Sequence, residues 1–326
     1  TLGLSFNNFS LRNIKEKKAW TPLPTGDGQK LSIRVQSNGK QYQTYNFSFT
    51  EPWLGGRKPN ALSFSAFRSR YQILNYSTNK ATGNQITNGA SVALGTRLKF
   101  PDDYFVFQTS LNYQNYGLKN FSERIYSEKT TIENGSFNNL NLKLTLSRNS
   151  MDQPLYPTSG SNVSLSGQFT IPYSLFRKDD FYKDVSVEDK WKWVEYHKWR
   201  MSVDWYQALD KKNKLVFRAA AKFGFLGYYS KKTGLSPFER FEVGGNGLPS
   251  NIVLFGQDII SQRGYGVYSD DGGDAVFNKF TMELRYPFSL NPSATIYGLI
   301  FAEAGNSYRT FKNYDPFSLN KSVGIG

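Results

Sequence analysis

One histidine, His197, and no cysteine in 326 residues narrow the chemistry open to this chain. Disulfides and thiolate chemistry are excluded. Hydrolysis by the usual side-chain routes needs a histidine held against an acid or a serine. His197 stands in "EYHKWRMSVDW", where alternation places it with Trp199, Met201, Val203 and Trp205. A ring in that apolar row is expected to be structural, so no catalytic residue is assigned and the chain is expected not to be an enzyme. Asp270, Asp271 and Asp274 in "YSDDGGDA" cluster carboxylates of the kind hard cations take. Their spacing does not match a calcium loop, so no metal site is expected. No phosphate-cradling Gly-Lys-Ser/Thr loop is present, and no cofactor is expected.

The same neighbourhood poses a different question. "SQRGYGVYSDDGGDA", Ser261 to Ala275, is glycine-rich and carries one arginine. It ends the longest stretch of the chain without a strand pattern. What holds so long a loop depends on the elements around it.

Composition leaves few options for those elements. Hydrophobic residues make up 39% of the chain and aromatics 16%, with a mean hydropathy of −0.53. No run of 18 apolar residues exists, so no transmembrane helix is encoded. A transmembrane β-barrel would show no such run either, because its strands alternate apolar and polar side chains. The net charge of +14 suits nucleic acid, anionic lipid or phosphate-bearing glycolipid. The basic residues are spread over strands and loops instead of forming a stripe, so no nucleic-acid partner is expected. The chain begins at Thr1 and stops at "SVGIG", which reads as the start of a strand; a processed or partial chain is expected.

Period-two alternation dominates. "KLSIRVQ", "NLNLKLTLS", "NVSLSGQF" and "KLVFRAAAKF" each set apolar residues on one face and polar or small residues on the other. Further strands read at about 3–11, 42–51, 61–74, 90–100, 104–116, 190–208, 275–287 and 295–306. About a dozen strands of roughly ten residues suit a tilted bilayer crossing better than a β-sandwich, whose strands are usually half that length. The fold class is therefore all-β: one antiparallel transmembrane β-barrel over 1–326. Trp53, Tyr104, Phe105, Trp191, Trp193, Trp205, Tyr206, Tyr286 and Tyr297 lie at strand ends and are expected to form interfacial girdles. Connections alternate in length. The long ones cover about 75–89, 117–137, 173–189, 228–274 and 307–320. Two break the parity: Arg12–Gln29 is long where a short turn is due, and Asn38–Gln41 is a tight "NGK" turn where a long loop is due.

On these motifs the chain resembles the BamA family, the central subunit of the outer-membrane β-barrel assembly machine. "NGKQYQTYNFSFTEPWLGG" looks like the second hairpin of that barrel. "SRNSMDQPLYPTSGSNVSLSG" resembles its turn motif, here Asp152, Tyr156, Pro157, Thr158 and Gly160. "PFERFEVGGNG" followed by "SQRGYG" resembles the sixth extracellular loop and its tip. The resemblance runs in order over nearly the whole chain. It implies that loop 228–274 folds into the barrel lumen, where Arg263, with Gly264 and Tyr265 shaping the tip, meets acids on the wall. The matching acids are Glu283 and Glu303. Thr281, Glu283 and Arg285 share the polar face of their strand, whereas strand 295–306 is apolar on both faces and leaves Glu303's direction open. Two residues depart from the family pattern: polar Gln262 precedes the arginine, and Glu303 stands where many members have aspartate.

The resemblance further implies sixteen strands in the complete protein, about thirteen of them here, without the seam strands or the soluble N-terminal repeats. The implied function is folding and insertion of client barrels through a lateral seam of a Gram-negative outer membrane, without nucleotide. The implied partners are accessory outer-membrane lipoproteins and other machine subunits, unfolded client outer-membrane proteins, and outer-membrane lipid and lipopolysaccharide. A TamA-like or two-partner-secretion barrel and a passive porin-like channel are the alternatives.

Overall fold

The computed structural model describes the chain except residues 57–59, 76, 79, 122–125, 128–129, 183, 246–255, 267–272 and 292; the side chains at 126, 127, 130, 131, 179 and 180 are also outside the description. Thirteen strands form a single sheet in chain order, each antiparallel to the next. We number them β1 (Leu2–Phe9), β2 (Gln29–Asn38), β3 (Tyr42–Glu51), β4 (Asn60–Leu74), β5 (Ala81–Arg97), β6 (Phe105–Lys119), β7 (Gly135–Asn149), β8 (Ser159–Thr170), β9 (His197–Ala208), β10 (Val216–Gly227), β11 (Val276–Asn291), β12 (Ala294–Tyr308) and β13 (Asn320–Ile325). The sheet is not closed: β1 and β13 are its edges.

Alternation decides which way each strand faces. In β11 the odd-numbered Thr281, Glu283 and Arg285 are buried, while Phe280, Met282, Leu284 and Tyr286 are exposed. The outward rows are largely apolar: Leu4, Leu111, Met282 and Ile300 are each more than half exposed. Apolar surface this extensive is incompatible with water and suited to lipid. The apolar core lies elsewhere, beneath the long connections. There Phe121, Phe137, Trp191, Val194, Tyr196, Leu226, Phe238 and Phe241 form one buried cluster.

Several boundaries differ from the sequence expectation. β5 begins at Ala81, so most of the loop expected over 75–89 is strand, paired to β4 and β6. In its first half the inward row holds buried Gln85 and Thr87, and the outward row sets Asn84 and Asn88 on either side of Ile86, so it carries no alternation signal. β9 starts at His197, not 190; residues Val187–Lys190 form one turn of α-helix. Loop 117–137 shrinks because β6 runs to Lys119 and β7 starts at Gly135. Three girdle assignments also fail; one is Tyr297, which faces inward and packs against Tyr156. Trp191 is 1% exposed and belongs to the core under the loops. Tyr206 faces inward and packs with Tyr156 and Val216. Trp53, Tyr104, Trp205 and Tyr286 are exposed, as girdle residues should be.

The turn between β7 and β8 is built from its own side chains. Asp152 accepts bonds from Thr158 N at 2.9 Å, Thr158 Oγ1 at 2.5 Å and Ser159 N at 3.3 Å. Tyr156, buried, donates to Lys214 O at 2.8 Å and ties this turn to the next one. Pro157 fills the step between them. Gly160 has φ +97, and a Cβ there would stand 2.2 Å from Ser150 O, so only glycine fits. Burial pushes the Asp152 carboxyl up, but the bonds from Thr158 and Ser159 outweigh it and hold the group below the ordinary carboxylate range. Its stabilising contribution is therefore present above that range and lost as pH falls through the lowered value. Asp152→Ala should lower the thermal midpoint through a loss of about 1–3 kcal/mol at neutral pH. Differential scanning calorimetry in detergent checks this: the gap from wild type should close in strong acid.

Candidate functional site: an arginine clamped on the inner wall

The inward row of β11 and the facing row of β12 create an acidic notch in a basic wall. Glu283 and Glu303 are both buried there, and both lie on the inner face, which settles Glu303's direction. Loop 228–275 returns onto this wall and delivers Arg263. The Arg263 backbone N donates to Glu303 Oε2 at 2.8 Å, and Nε and Nη2 donate to Glu303 Oε1 at 3.0 and 2.8 Å. Nη2 also bonds Glu283 Oε1. The guanidinium lies over the Phe301 ring, 3.8 Å from its centroid. A planar fork that meets two carboxylates and a ring face leaves one orientation available.

Each acid has a second cation. Glu283 Oε2 accepts from Arg285 Nε at 2.8 Å and stands 3.2 Å from Arg218 Nη1. Glu303 Oε1 is 3.1 Å from Lys279 Nζ, which also donates to Ser261 O. Glu283 therefore serves Arg285 and Arg263 together. The tip residues add backbone contacts. Gly264 takes φ +86, which lets the chain turn beside the clamp. Tyr265 donates its hydroxyl to Lys321 O at 2.8 Å. Gln262, the polar departure, is buried and donates to Asn320 O at 2.7 Å, an edge carbonyl on β13 that an apolar residue could not meet. The structure thus brings Arg263, Gly264, Tyr265, Glu283 and Glu303 into one site. The turn motif of Asp152, Tyr156, Pro157, Thr158 and Gly160 lies nearer the short-turn end of the strands and reaches the clamp indirectly: Tyr156 packs on Tyr297, over which lies Arg285, the partner of Glu283.

Residues 25–326 match the Omp85 superfamily domain. The chain belongs to the Omp85 superfamily. Its fold is similar to that of BamA from Haemophilus ducreyi lacking POTRA domains 1-3, at 18% identity and a TM-score of 0.66, over 92% of this chain and 58% of that one. It is also similar to CdiB from Escherichia coli, at 13% identity and a TM-score of 0.56, over 99% and 51%. CdiB from Acinetobacter baumannii aligns at 11% identity and a TM-score of 0.50, over 91% and 46%. The chain spans about half the length of these structures, and at such identities the likeness is one of fold.

This Omp85 barrel carries a second ionic cluster that the sequence did not disclose. On β9, inward-facing Lys198 meets Glu239 Oε2 at 3.1 Å and Asp258 Oδ2 at 2.8 Å, and Arg200 meets Asp258 at 2.9 Å. Asn139 donates to Glu239 Oε1 at 3.1 Å. Glu239 takes φ +64, a left-handed backbone rare for a carboxylate residue. Two short segments of the loop, Phe241–Val243 and Asp258–Ile260, pair in parallel and hold these acids in place. The loop of this superfamily member is therefore clamped twice, at its base by β9 and at its tip by β11 and β12. The alternation of Lys198 and Arg200 with outward His197 and Trp199 was the one available signal.

The remaining candidates lie outside both clamps. His197 is half-buried on the outward side, accepts from Trp199 Nε1 at 3.2 Å and packs against Phe225 and Tyr229. Asp274 pairs its backbone with Phe241 and accepts from Ser307 through its side chain. Asp270 and Asp271 lie outside the described residues. Among the described residues no three His, Asp or Glu side chains group as a metal site.

Proposed function

We propose that this chain is the membrane domain of an outer-membrane assembly factor that folds and inserts client β-barrels without nucleotide and without enzymatic chemistry. The observation that carries this reading is the clamped loop. Arg263 holds the described part of loop 228–275 against the inner wall through two buried acids, which supports a role for an anchored loop inside the barrel. The outward apolar rows place the strands in a bilayer. A barrel whose first and last strands zip weakly offers unpaired backbone groups, onto which a client strand can add by β-augmentation. A narrowed apolar belt beside such a seam thins the bilayer and lowers the cost of insertion. The partners of this reading are unfolded client barrels, accessory outer-membrane lipoproteins, and outer-membrane lipid with lipopolysaccharide; its setting is a Gram-negative outer membrane.

A second reading, a two-partner-secretion translocation barrel, is favoured by the likeness in fold to two CdiB structures. Reconstitution of the complete parent protein in liposomes separates them. An assembly factor makes a denatured outer-membrane barrel fold faster than it does in empty liposomes. A secretion barrel instead passes an unfolded substrate to the far side and leaves client folding at the rate of empty liposomes. Large steady ion conductance with neither activity would indicate a passive channel.

A further inference from the structure

The connection between β1 and β2 is long where its neighbours are short, and it is tightly built. Ser10 Oγ donates to Asp27 at 2.6 Å, Asn13 Nδ2 to Thr25 O at 2.8 Å, and Thr25 N to Ala19 O at 3.0 Å. Two 3₁₀ helices, Arg12–Lys15 and Lys17–Ala19, occupy its centre. Side chains three apart eclipse in such helices. A three-residue repeat follows. Asn13 and Ala19 are half-buried toward the protein. Leu11 and Ile14 lie on a second row, and Trp20 is drawn onto it by the bond from its Nε1 to Ile14 O at 3.2 Å. Arg12, Lys15 and Lys18 form the third row; Lys17 falls on the second row between Ile14 and Trp20, and Glu16, in extended backbone, separates the two helices. Leu11, Ile14 and Trp20 are 49%, 45% and 45% exposed, and the four cations are exposed and make no ion pair among the described residues.

A rigid turn that displays three large apolar side chains next to four cations and a single acid, Glu16, is built to meet a surface. Its place in the sheet says which surface. The other connections at this end of the strands are short, and each has an exposed apolar side chain in it or beside it: Trp53, Phe100, Leu155, Leu209 and Phe288. These side chains form a belt at one level of the barrel, and Leu11, Ile14 and Trp20 continue it. A belt of this kind belongs to the boundary between acyl chains and headgroups. A protein partner would need a patch on one side of the molecule, not a level shared by the whole rim.

We propose that residues 11–20 form a foot that seats on anionic phospholipid at the short-turn end of the barrel. Leu11, Ile14 and Trp20 enter the acyl boundary, and Arg12, Lys15 and Lys18 contact phosphates. This inference rests on the membrane reading of the barrel and not on its assembly activity.

The test uses the complete parent protein in vesicles of phosphatidylcholine with or without phosphatidylglycerol, one lipid at a time carrying bromines near the headgroup end of its acyl chains. The Trp20 signal is the difference between wild type and Trp20→Phe. The Trp205 signal, obtained the same way with Trp205→Phe, reports lipid contact of the barrel itself. Trp20 should be quenched, and more strongly by brominated phosphatidylglycerol than by brominated phosphatidylcholine. Reversing Arg12, Lys15 and Lys18 to Glu should cut that preference by about fivefold for each cation removed. Lys15→Gln alone, a milder change, should give a smaller drop in the same direction. Quenching of Trp205 without quenching of Trp20 overturns the proposal, as does a preference unchanged by the reversal. A Trp20 shielded by a co-purifying acidic protein, and untouched by brominated lipid, also overturns it. Failure of both tryptophans to quench would sink the membrane reading first.

Discussion

Arg263→Glu should free the loop from the wall. In the wild type, two buried carboxylates are bridged by one guanidinium, with Arg218, Arg285 and Lys279 at their outer sides. The substitution places a third carboxylate between them. The expected cost is about 2–4 kcal/mol, below that of a fully buried pair because the Arg263 side chain is 34% exposed. Proteolysis within 228–274 should accelerate by two orders of magnitude or more, while strand protection persists. The compensating change belongs at Glu303. An arginine at 283 would face Arg218 and Arg285, whereas an arginine at 303 would face Lys279 alone among the cations; it returns a pair to residue 263 but removes the acceptor of the residue-263 backbone N–H. Arg263→Glu with Glu303→Arg should recover part of the protection, and Arg263→Glu with Glu283→Arg should recover less. Wild-type cleavage in the single variant would show that the loop is held by other contacts.

The second large effect is expected at the base of the loop. Lys198→Met removes the cation from a fully enclosed Glu239 and leaves Asp258 with Arg200 alone. Breaking such a pair costs about 3–5 kcal/mol. Burial pushes the Glu239 carboxyl above the ordinary range and Asp258 pushes the same way, while Lys198 and Arg200 oppose them. A folded-state value above the unfolded one means that the folded form holds the proton more tightly. Stability from this group is therefore complete below the ordinary carboxylate range and declines as pH rises toward the raised value. Without Lys198 that window extends upward. The variant should be strongly destabilised at pH 7.5 and regain part of the loss at pH 5, where Glu239 can be neutral beside Asn139, Tyr116 and Tyr196. Thermal midpoints at the two pH values test this, and an equal deficit at both would contradict it.

The contrast between these two clamps shows what the sequence could disclose. The strand from Leu140 to Leu146 was legible because lipid and interior demand opposite side chains at successive positions. Glu283 was legible for the same reason, flanked by outward Met282 and Leu284. The turn at Asp152 could be read because its ligands lie within seven residues. The Lys198–Glu239 pair spans 41 positions and Arg200–Asp258 spans 58, and the acids sit in a loop with no period. Nothing local marks them. The early half of β5 was missed because Asn84 and Asn88 interrupt its outward row, so polar side chains stand on both faces beside inward Gln85 and Thr87. Trp191 was misplaced because a tryptophan before a strand suits an interface and a buried loop core equally well. The family resemblance supplied what alternation could not: which of several acids the loop arginine would meet.

Whether the clamped loop serves the proposed client folding can be read from one rate. The folding rate of a denatured outer-membrane barrel is followed in liposomes holding the complete parent protein as wild type, as Arg263→Glu, and as Arg263→Glu with Glu303→Arg. The wild type should accelerate folding, the single variant should lose that acceleration, and the double should regain part of it. Full acceleration by Arg263→Glu, with loop 228–274 cleaved as fast as an unanchored segment, would contradict that role.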